Sequence, residues 1–298
     1  MPELAEVEFF RRRWWEAGAR GRVRAAEAQP RSLVFRHLAR EFPGGAAAMA
    51  KSLAGARLAG SGTDGKQMWF VFSLKKLRKG NRSTLWLGIH LGMTGEMRVE
   101  PADYSVRKHD ALILRLAGRS LVFHDPRQFG RVRVWRGAKG EAPPWRNNLP
   151  PEILSPAFTV GRLRGVLVRH GRAPVKAVLL NQKYFPGVGN WMADEILWRA
   201  AIPPATLAGQ LASAATAKKL HAKIRQVARD ALRVIAGAGG KLPPDLNVHI
   251  PDAWLFNHRW ADGGLCPKTQ KPLRREEIGG RTTCWSPAWQ RRPKPGGT

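Results

Sequence analysis

The spacing of apolar residues divides the chain into a strand-rich first half and a helical second half. Apolar residues recur at helical spacing near the start and the run stops at Gly18, so the pattern predicts an amphipathic helix beginning at Pro2. Short β-rich stretches, separated by Gly, Asp and Ser, then predict a β-sandwich or barrel over residues 1–136. The predicted strands are 66–74, 83–93, 95–100, 110–118, 120–130 and 131–135.

The pattern changes after residue 136. Segment 137–158 is rich in Gly, Pro and Asn, which predicts an interdomain linker. A helical domain is predicted over 159–260, followed by a small hairpin over 261–292, called the finger below, whose turn is Gly279-Gly280. The fold class is therefore α+β and multidomain. The predicted helices are 159–169, 173–183, 190–201 and 211–236.

Composition narrows the possible partners. The 298 residues carry 51 Lys and Arg against 22 Asp and Glu, a net charge of +29, which favours a polyanion such as nucleic acid. An RNA-binding or ribosomal protein fits this charge equally well. No run of 18 apolar residues predicts a membrane span, and the start lacks a basic n-region, so a cytoplasmic, nucleoid-associated protein is expected. With only two cysteines, the chain does not have the composition of a secreted protein held together by several disulfides.

Pro2 allows two interpretations. Proline and following glutamates are common in the first turn of a helix, where they suit the backbone and the helix dipole. If Met1 is removed, however, Pro2 carries a free secondary amine that titrates near the α-amino range, roughly 7.7–8.0. Such an amine can attack a sugar aldehyde carbon and give an iminium, with Glu3 beside it as a candidate acid.

Candidate DNA-contacting residues lie beside glycines. Gly187, Val188 and Gly189 run into a helix at Asn190, where backbone N–H groups and the dipole can receive a phosphate, although an ordinary helical turn explains the same pattern. Lys66 and Arg281 flank turns, where basic residues are usually solvated, but an arginine there can also clamp a phosphate. Residues that can fill the gap left by an expelled base stand near strand ends, although such residues are often core: Met93, Arg127 and Phe129.

Taken together, these stretches resemble one family. "MPELAEVE", "HLGMTG", "KHDAL", "HDPRQFGR", "PGVGNWMADEILWRAAIPP" and "IGGRTT" occur in the order seen in formamidopyrimidine-DNA glycosylases, and the resemblance covers nearly the whole chain. It implies an N-terminal β-sandwich, a helix–two-turn–helix domain and a hairpin finger. It also implies a monomeric enzyme that excises oxidised purines, such as 8-oxoguanine and formamidopyrimidines, from damaged double-stranded DNA and then cuts the strand by β,δ-elimination.

The resemblance also assigns roles. It implies that Pro2 forms the Schiff base, Glu3 is the acid, Lys66 assists β-elimination and Arg281 assists δ-elimination. The family's DNA contacts fall on Met93, His109, Arg127, Phe129, Lys176 and Asn190, of which Met93, Arg127 and Phe129 form the void-filling wedge. Leu4 favours the purine-directed branch of the superfamily.

The chain departs from the family at several positions. Ala5 replaces a proline, Gly171 replaces a basic residue, and segment 237–260, which caps the flipped base in the family, matches poorly. A different base preference, for oxidised pyrimidines or hydantoins, and a non-catalytic damaged-DNA binder therefore stay as alternatives.

The family's zinc site is the largest departure. Four cysteines hold the metal in the family, whereas the corresponding positions here are Cys266, Thr269, Ser286 and Trp289. One matched thiolate cannot supply the four strong donors of a structural zinc site. We therefore expect no metal and no cofactor, with Trp285 and Trp289 packing the finger instead.

Overall fold

The computed structural model describes residues 2–74 and 83–291. They divide into two compact units, Met1–Leu149 and Pro150–Thr298, and the boundary falls inside the predicted linker. Part of that linker belongs to the first unit, because its last strand continues to Ala138. No helix of the described residues has the length and apolarity needed to cross a membrane.

The first unit begins with α1, Leu4–Gly18, which buries the apolar face that the sequence predicts. Phe9 and Trp14 are fully buried, and the Trp14 indole donates to the carbonyl of Arg98 at 3.0 Å. The helix packs on strands of both sheets of the unit, so it forms part of their shared core.

Two four-stranded antiparallel sheets make up the sandwich, which confirms the predicted architecture. One sheet has the order β1-β6-β7-β5 and the other β2-β3-β4-β8. The bounds are β1 Ala25–Ala28, β2 Arg57–Asp64, β3 Gln67–Ser73, β4 Ser83–His90, β5 Glu96–Pro101, β6 Asp110–Arg115, β7 Arg119–His124 and β8 Arg131–Ala138.

Two strands and two α-helices of this unit have no counterpart in the sequence prediction. They are β1, β2 and the helices α2, Leu38–Glu41, and α3, Gly45–Leu53. The sequence of β1 is AAEA, which carries little strand propensity, and it becomes a strand by pairing with β6. β2 contains glycine because the Trp69 ring lies over Gly62, where a Cβ would come within 2.3 Å of the ring.

The second unit is helical, as predicted, but its elements are shorter. The helices are α4 Val160–Arg169, α5 Val175–Leu179, α6 Asn190–Ala200 and α7 Ala214–Ala236. Thr159 and Ser213 cap α4 and α7 with their hydroxyl groups. The helix predicted over 173–183 is the main error: only α5 forms, because residues 180–189 turn back through hydrogen bonds such as those of the Gln182 side chain.

The finger contains one hairpin, formed by β9, Arg274–Ile278, and β10, Arg281–Trp285. Ile278 pairs with Arg281, so the connection is the predicted two-residue turn Gly279-Gly280. Both glycines have positive φ, 64° and 72°, which a type I′ turn requires.

Candidate functional site

The start of α1 places two buried carboxylates next to Pro2. Glu3 caps the helix and Glu6 lies one turn further, with exposed fractions of 2% and 5%. They form a reciprocal capping box, in which the Glu3 amide donates to Glu6 Oε2 at 3.2 Å. Pro2 itself is half-buried. The sequence analysis selected Glu3 but not Glu6, although the Glu-x-x-Glu spacing of a capping box was visible.

Lys66 lies in the two-residue turn between β2 and β3, after Gly65 at φ 62°. Its neighbour Gln67 pairs with His90 at the end of β4. Burial, with the charges of Lys66 and Arg131, lowers the pKa of His90, so its imidazole is neutral at neutral pH. His90 Nδ1 then accepts the Gly92 N–H at 3.1 Å. His90 thus connects the surroundings of Lys66 to residues 91–95, called the Met93 loop below.

The residues predicted to form the wedge lie in the Met93 loop and in residues 125–130, called the Phe129 loop below. Met93 and Phe129 are exposed by 42% and 51%, so both large apolar side chains are accessible at the loop surface. The Arg127 guanidinium lies over the Phe129 ring at 4.8 Å. The two loops touch, because a Cβ at Gly92 would lie 2.5 Å from the Phe129 carbonyl carbon.

His109 precedes β6 in a left-handed conformation, φ 73°, and is half-buried. Its carbonyl accepts the Asp125 N–H at 3.0 Å, and its ring stands edge-on to His124. The adjacent Asp110 is fully buried and binds the His124 ring at 2.8 Å and the Tyr104 hydroxyl at 2.9 Å.

In the second unit, Asn190 begins α6 directly after the predicted glycine turn. Its side-chain amide donates to the carbonyl of Thr282 in β10 at 2.8 Å. Its Oδ1 is buried and has no hydrogen-bond partner among the described residues. Asn190 therefore connects the start of α6 to the finger, one residue from Arg281.

Lys176 differs from the expectation of a direct phosphate contact. Its side chain is fully buried, and its ammonium donates to Asp194 and to the carbonyl of Asn190. Asp194 also accepts the Arg259 guanidinium at 2.5 Å and the Cys284 N–H at 3.1 Å. Lys176 thus stabilises the first turns of α6 from the protein interior, where Asp194 compensates the burial of its ammonium group. The sequence analysis did not single out Asp194 or Arg259.

Arg281 is exposed at the start of β10, as expected for a residue at a hairpin tip. The turn before it packs on α5: a Cβ at Gly279 would lie 2.7 Å from Ala177 Cβ. Gly279 is therefore required both by its positive φ and by this close approach.

Of the four positions that the resemblance assigns to zinc ligands, Thr269, Ser286 and Trp289 lie around the sulfur of the fourth, Cys266. Burial raises the pKa of the Cys266 thiol, but the neighbouring polar side chains of Ser286, Thr269 and Trp198 outweigh it and lower the pKa to about 7. Of these, the Trp198 indole N–H donates to Cys266 Sγ at 3.5 Å. Trp289 donates to the carbonyl of Trp198 at 2.8 Å and packs in the same apolar cluster.

Other contacts in the finger complete this cluster. The Lys268 ammonium lies 4.5 Å from the Trp198 ring and 4.2 Å from the Trp289 ring. Trp285, the second tryptophan expected to pack the finger, instead donates to Glu276 across the hairpin at 2.7 Å. The described residues contain no cluster of three or more His, Cys, Asp or Glu that could hold a metal ion. That the finger binds no zinc stays a prediction.

Comparisons with known proteins identify the family. Residues 1–132 match the model of the formamidopyrimidine-DNA glycosylase N-terminal domain, and residues 149–240 match that of the formamidopyrimidine-DNA glycosylase H2TH domain. The chain belongs to the formamidopyrimidine-DNA glycosylase family. It is therefore an enzyme of the DNA glycosylase class, and the expected fold is confirmed.

Individual relatives agree with this assignment. The formamidopyrimidine-DNA glycosylase of Thermus thermophilus is 37% identical over 208 residues, 67% of this chain and 73% of that protein. The enzyme of Nocardia farcinica is 33% identical and covers 99% of both chains. The fold resembles that of wild-type Lactococcus lactis Fpg (MutM), solved in a complex with DNA that contains N7-benzyl-Fapy-dG, with a TM-score of 0.77, 24% identity and coverage of 98% of this chain and 100% of that one.

Proposed function

We propose that the chain excises oxidised purines from duplex DNA and cuts the resulting abasic strand, with Pro2 as the nucleophile. The observation that carries this proposal is the pair of buried carboxylates, Glu3 and Glu6, directly behind Pro2 at the start of α1. A nucleophilic amine with an adjacent acid is the arrangement that glycosidic displacement requires.

The reaction proceeds in two stages in this proposal. The Pro2 nitrogen attacks C1′ of the damaged nucleotide, the bond from C1′ to the base breaks, and the base takes up the proton that the Pro2 nitrogen loses. The C1′–O4′ bond then breaks, Glu3 protonates O4′, and the opened sugar is joined to Pro2 as an iminium. The iminium then withdraws electrons from C2′, which loses a proton as the 3′ phosphate leaves. Loss of a proton from C4′ and of the 5′ phosphate then removes the sugar from the cut strand, and water hydrolyses the iminium to free Pro2. Lys66 assists the first elimination and Arg281 the second.

The exposed side chains fit the extrusion of a base. Removing a base from the stack costs a few kcal/mol, and apolar or cationic side chains that fill the gap offset this cost. Met93 and Phe129 are exposed and adjacent, and Arg127 stacks on Phe129. These features support the proposal that the three residues form the wedge.

The second unit supplies features suited to the DNA backbone. Asn190 begins an 11-residue helix, and the dipole of such a helix attracts phosphate to its N-terminus. The exposed Arg281 is one residue from the Thr282 carbonyl that Asn190 binds. Leu4 and the intact "DPRQFG" support a preference for purine lesions over the alternatives of oxidised pyrimidines or hydantoins.

Borohydride trapping tests the nucleophile. Duplexes with a single 8-oxoguanine, formamidopyrimidine or oxidised pyrimidine are incubated with the enzyme and borohydride, and the covalent adduct is mapped by peptide mass spectrometry. We expect adducts on the N-terminal peptide, strongest for the purine lesions. Pro2→Gly should reduce trapping, retention of Met1 should abolish it, and Pro30→Gly, at an exposed turn, is the matched control.

Three results would count against the proposal. An adduct on Lys66 would transfer the lyase role to that residue. Stronger cutting at pyrimidine lesions would change the assigned substrate. Tight binding of damaged DNA without any adduct would indicate a non-catalytic binder.

A further inference from the structure

The buried carboxylate of Asp125 contacts both loops of the proposed wedge, and the proposed reaction gives it no role. Asp125 follows β7 and opens the Phe129 loop, and it is fully buried. We propose that Asp125 is a positioning residue, which holds the Met93 loop and the Phe129 loop in the arrangement that replaces an extruded base. This inference rests on the proposed wedge.

One carboxylate oxygen closes the Phe129 loop. Asp125 Oδ2 accepts the Gly130 N–H at 2.7 Å, a short distance typical of a hydrogen bond to a charged acceptor. The Asp125 carbonyl accepts the Gln128 N–H at 3.2 Å. Both ends of the loop are thereby fixed, and Arg127 and Phe129 project from between them.

The other oxygen reaches the Met93 loop. Asp125 Oδ1 accepts the Thr94 hydroxyl at 3.3 Å, one residue from Met93. Gly130 leaves room for this arrangement, because a Cβ there would lie 2.8 Å from Asp125 Oδ2 and 3.0 Å from the His90 carbonyl oxygen. Each oxygen of one side chain therefore serves one loop of the wedge.

The electrostatics of Asp125 favour a functional explanation over a stabilising one. Burial of a carboxylate is costly unless it is paired or fully hydrogen-bonded. Within residues 2–74 and 83–291, Asp125 takes part in no ion pair, and its side chain accepts from a backbone N–H and a hydroxyl. A buried carboxyl group with one donor on each oxygen fixes the direction of both donors, which is the geometry that a positioning role requires.

A second buried aspartate provides a matched control. Asp110 is also fully buried and lies at the start of the neighbouring strand β6. Its carboxylate accepts from Tyr104, from the Arg107 N–H and from His124, so it supports the segment before His109. Asp110 therefore matches Asp125 in burial and charge but serves a different loop.

The experiment compares Asp125→Asn with Asp110→Asn on two substrates, an intact 8-oxoguanine duplex and a preformed abasic duplex. Single-turnover rates are measured on both substrates. The two are compared because an abasic nucleotide costs less to extrude and therefore needs the wedge less. We expect Asp125→Asn to slow lesion excision by about tenfold or more and abasic-strand cutting by less than about threefold, since each 1.4 kcal/mol of lost alignment is a factor of ten. Asp110→Asn should slow both by a similar factor.

Phe129→Ala distinguishes a failure of the proposed wedge from a failure of the proposed role of Asp125. If Phe129→Ala and Asp125→Asn both lose lesion excision selectively, the inference holds. If Phe129→Ala is selective and Asp125→Asn affects both substrates equally or neither, the positioning role is wrong while the wedge stands. If Phe129→Ala is not selective, the wedge and the inference both fail. Should Asp125→Asn unfold, Thr94→Val removes only the hydrogen bond to the Met93 loop. If Thr94→Val then slows lesion excision less than about twofold more than abasic-strand cutting, the role of Asp125 is wrong.

Discussion

Two glycine turns in this chain each present a basic side chain, and they are supported in different ways. Gly65-Lys66 joins β2 to β3, and Gly279-Gly280 joins β9 to β10 immediately before Arg281. In both turns glycine supplies the positive φ that a two-residue hairpin needs. The local solution is similar, but one hairpin belongs to a four-stranded sheet and the other stands as a two-stranded pair.

The Lys66 hairpin is stabilised by its own sheet. β3 pairs along its whole length with β2 on one side and β4 on the other. Its opposite face buries Met68, Phe70 and Phe72 in the core. The nearby ion pair of Asp64 with Arg146, at 2.8 and 2.9 Å, remains partly exposed. The sheet supports this turn without that pair.

The Arg281 hairpin depends on contacts outside itself. A two-stranded hairpin alone is marginal in water. Here Asp194 binds the Cys284 N–H, Asn190 binds the Thr282 carbonyl, and Gln290 donates to the Ile202 carbonyl at 2.8 Å. The comparison shows that similar glycine turns can each present a basic side chain. The position of Arg281, however, depends on the contacts that its hairpin makes with α6 and neighbouring residues.

The largest expected difference in unfolding free energy is between variants of the two carboxylates that lie beside the hairpins, Asp194 and Asp64. Asp194→Ala leaves the buried Lys176 and Arg259 without a counter-charge, so it should cost about 3–5 kcal/mol of unfolding free energy. Asp64→Ala removes two hydrogen bonds to the partly exposed Arg146 and should cost about 1–2 kcal/mol. Urea unfolding of both variants measures the difference. Equal costs would show that the two hairpins are supported alike.

A smaller effect is expected in the turn before Arg281. Gly279→Ala meets both backbone strain and contact with Ala177, and should cost about 2–4 kcal/mol. The matched control is Gly280→Ala, which has a positive φ but open space and should cost about 1–2 kcal/mol. The ratio of δ- to β-elimination product should fall more for Gly279→Ala. If the two variants behave alike, the contact with α5 does not position Arg281.

The smallest effect is expected from metal removal. The apolar cluster around Cys266, with Trp198 and Trp289, replaces the metal as the support of the finger in our interpretation. Elemental analysis should find well under one zinc per chain, and chelators should change neither thermal stability nor strand cutting. Stoichiometric zinc with chelator-sensitive cutting would contradict this interpretation, and Trp289→Ala would then be mild.

The sequence predicted the parts of the fold that carry a strong periodic pattern. The first helix and β3 have buried residues at regular spacing. The helix at Asn190 is buried almost all round and was predicted from the glycine turn before it. β1 and the short helices between β1 and β2 lacked such a pattern and were missed. Their conformation depends on pairing and packing with distant residues, which a local pattern cannot express.

For the candidate site, the sequence by itself determined which chemical groups are available. A possible terminal amine at Pro2, an adjacent acid at Glu3 and basic residues after glycine turns are all properties of short stretches. The tertiary structure alone decided which groups face solvent and which support them. Lys176 is buried on Asp194, and Asp125 joins two loops that are about 30 residues apart in the chain. The physical reason is that burial and hydrogen-bond partners are set by contacts between distant segments, whereas turn and helix propensities are set by neighbouring residues.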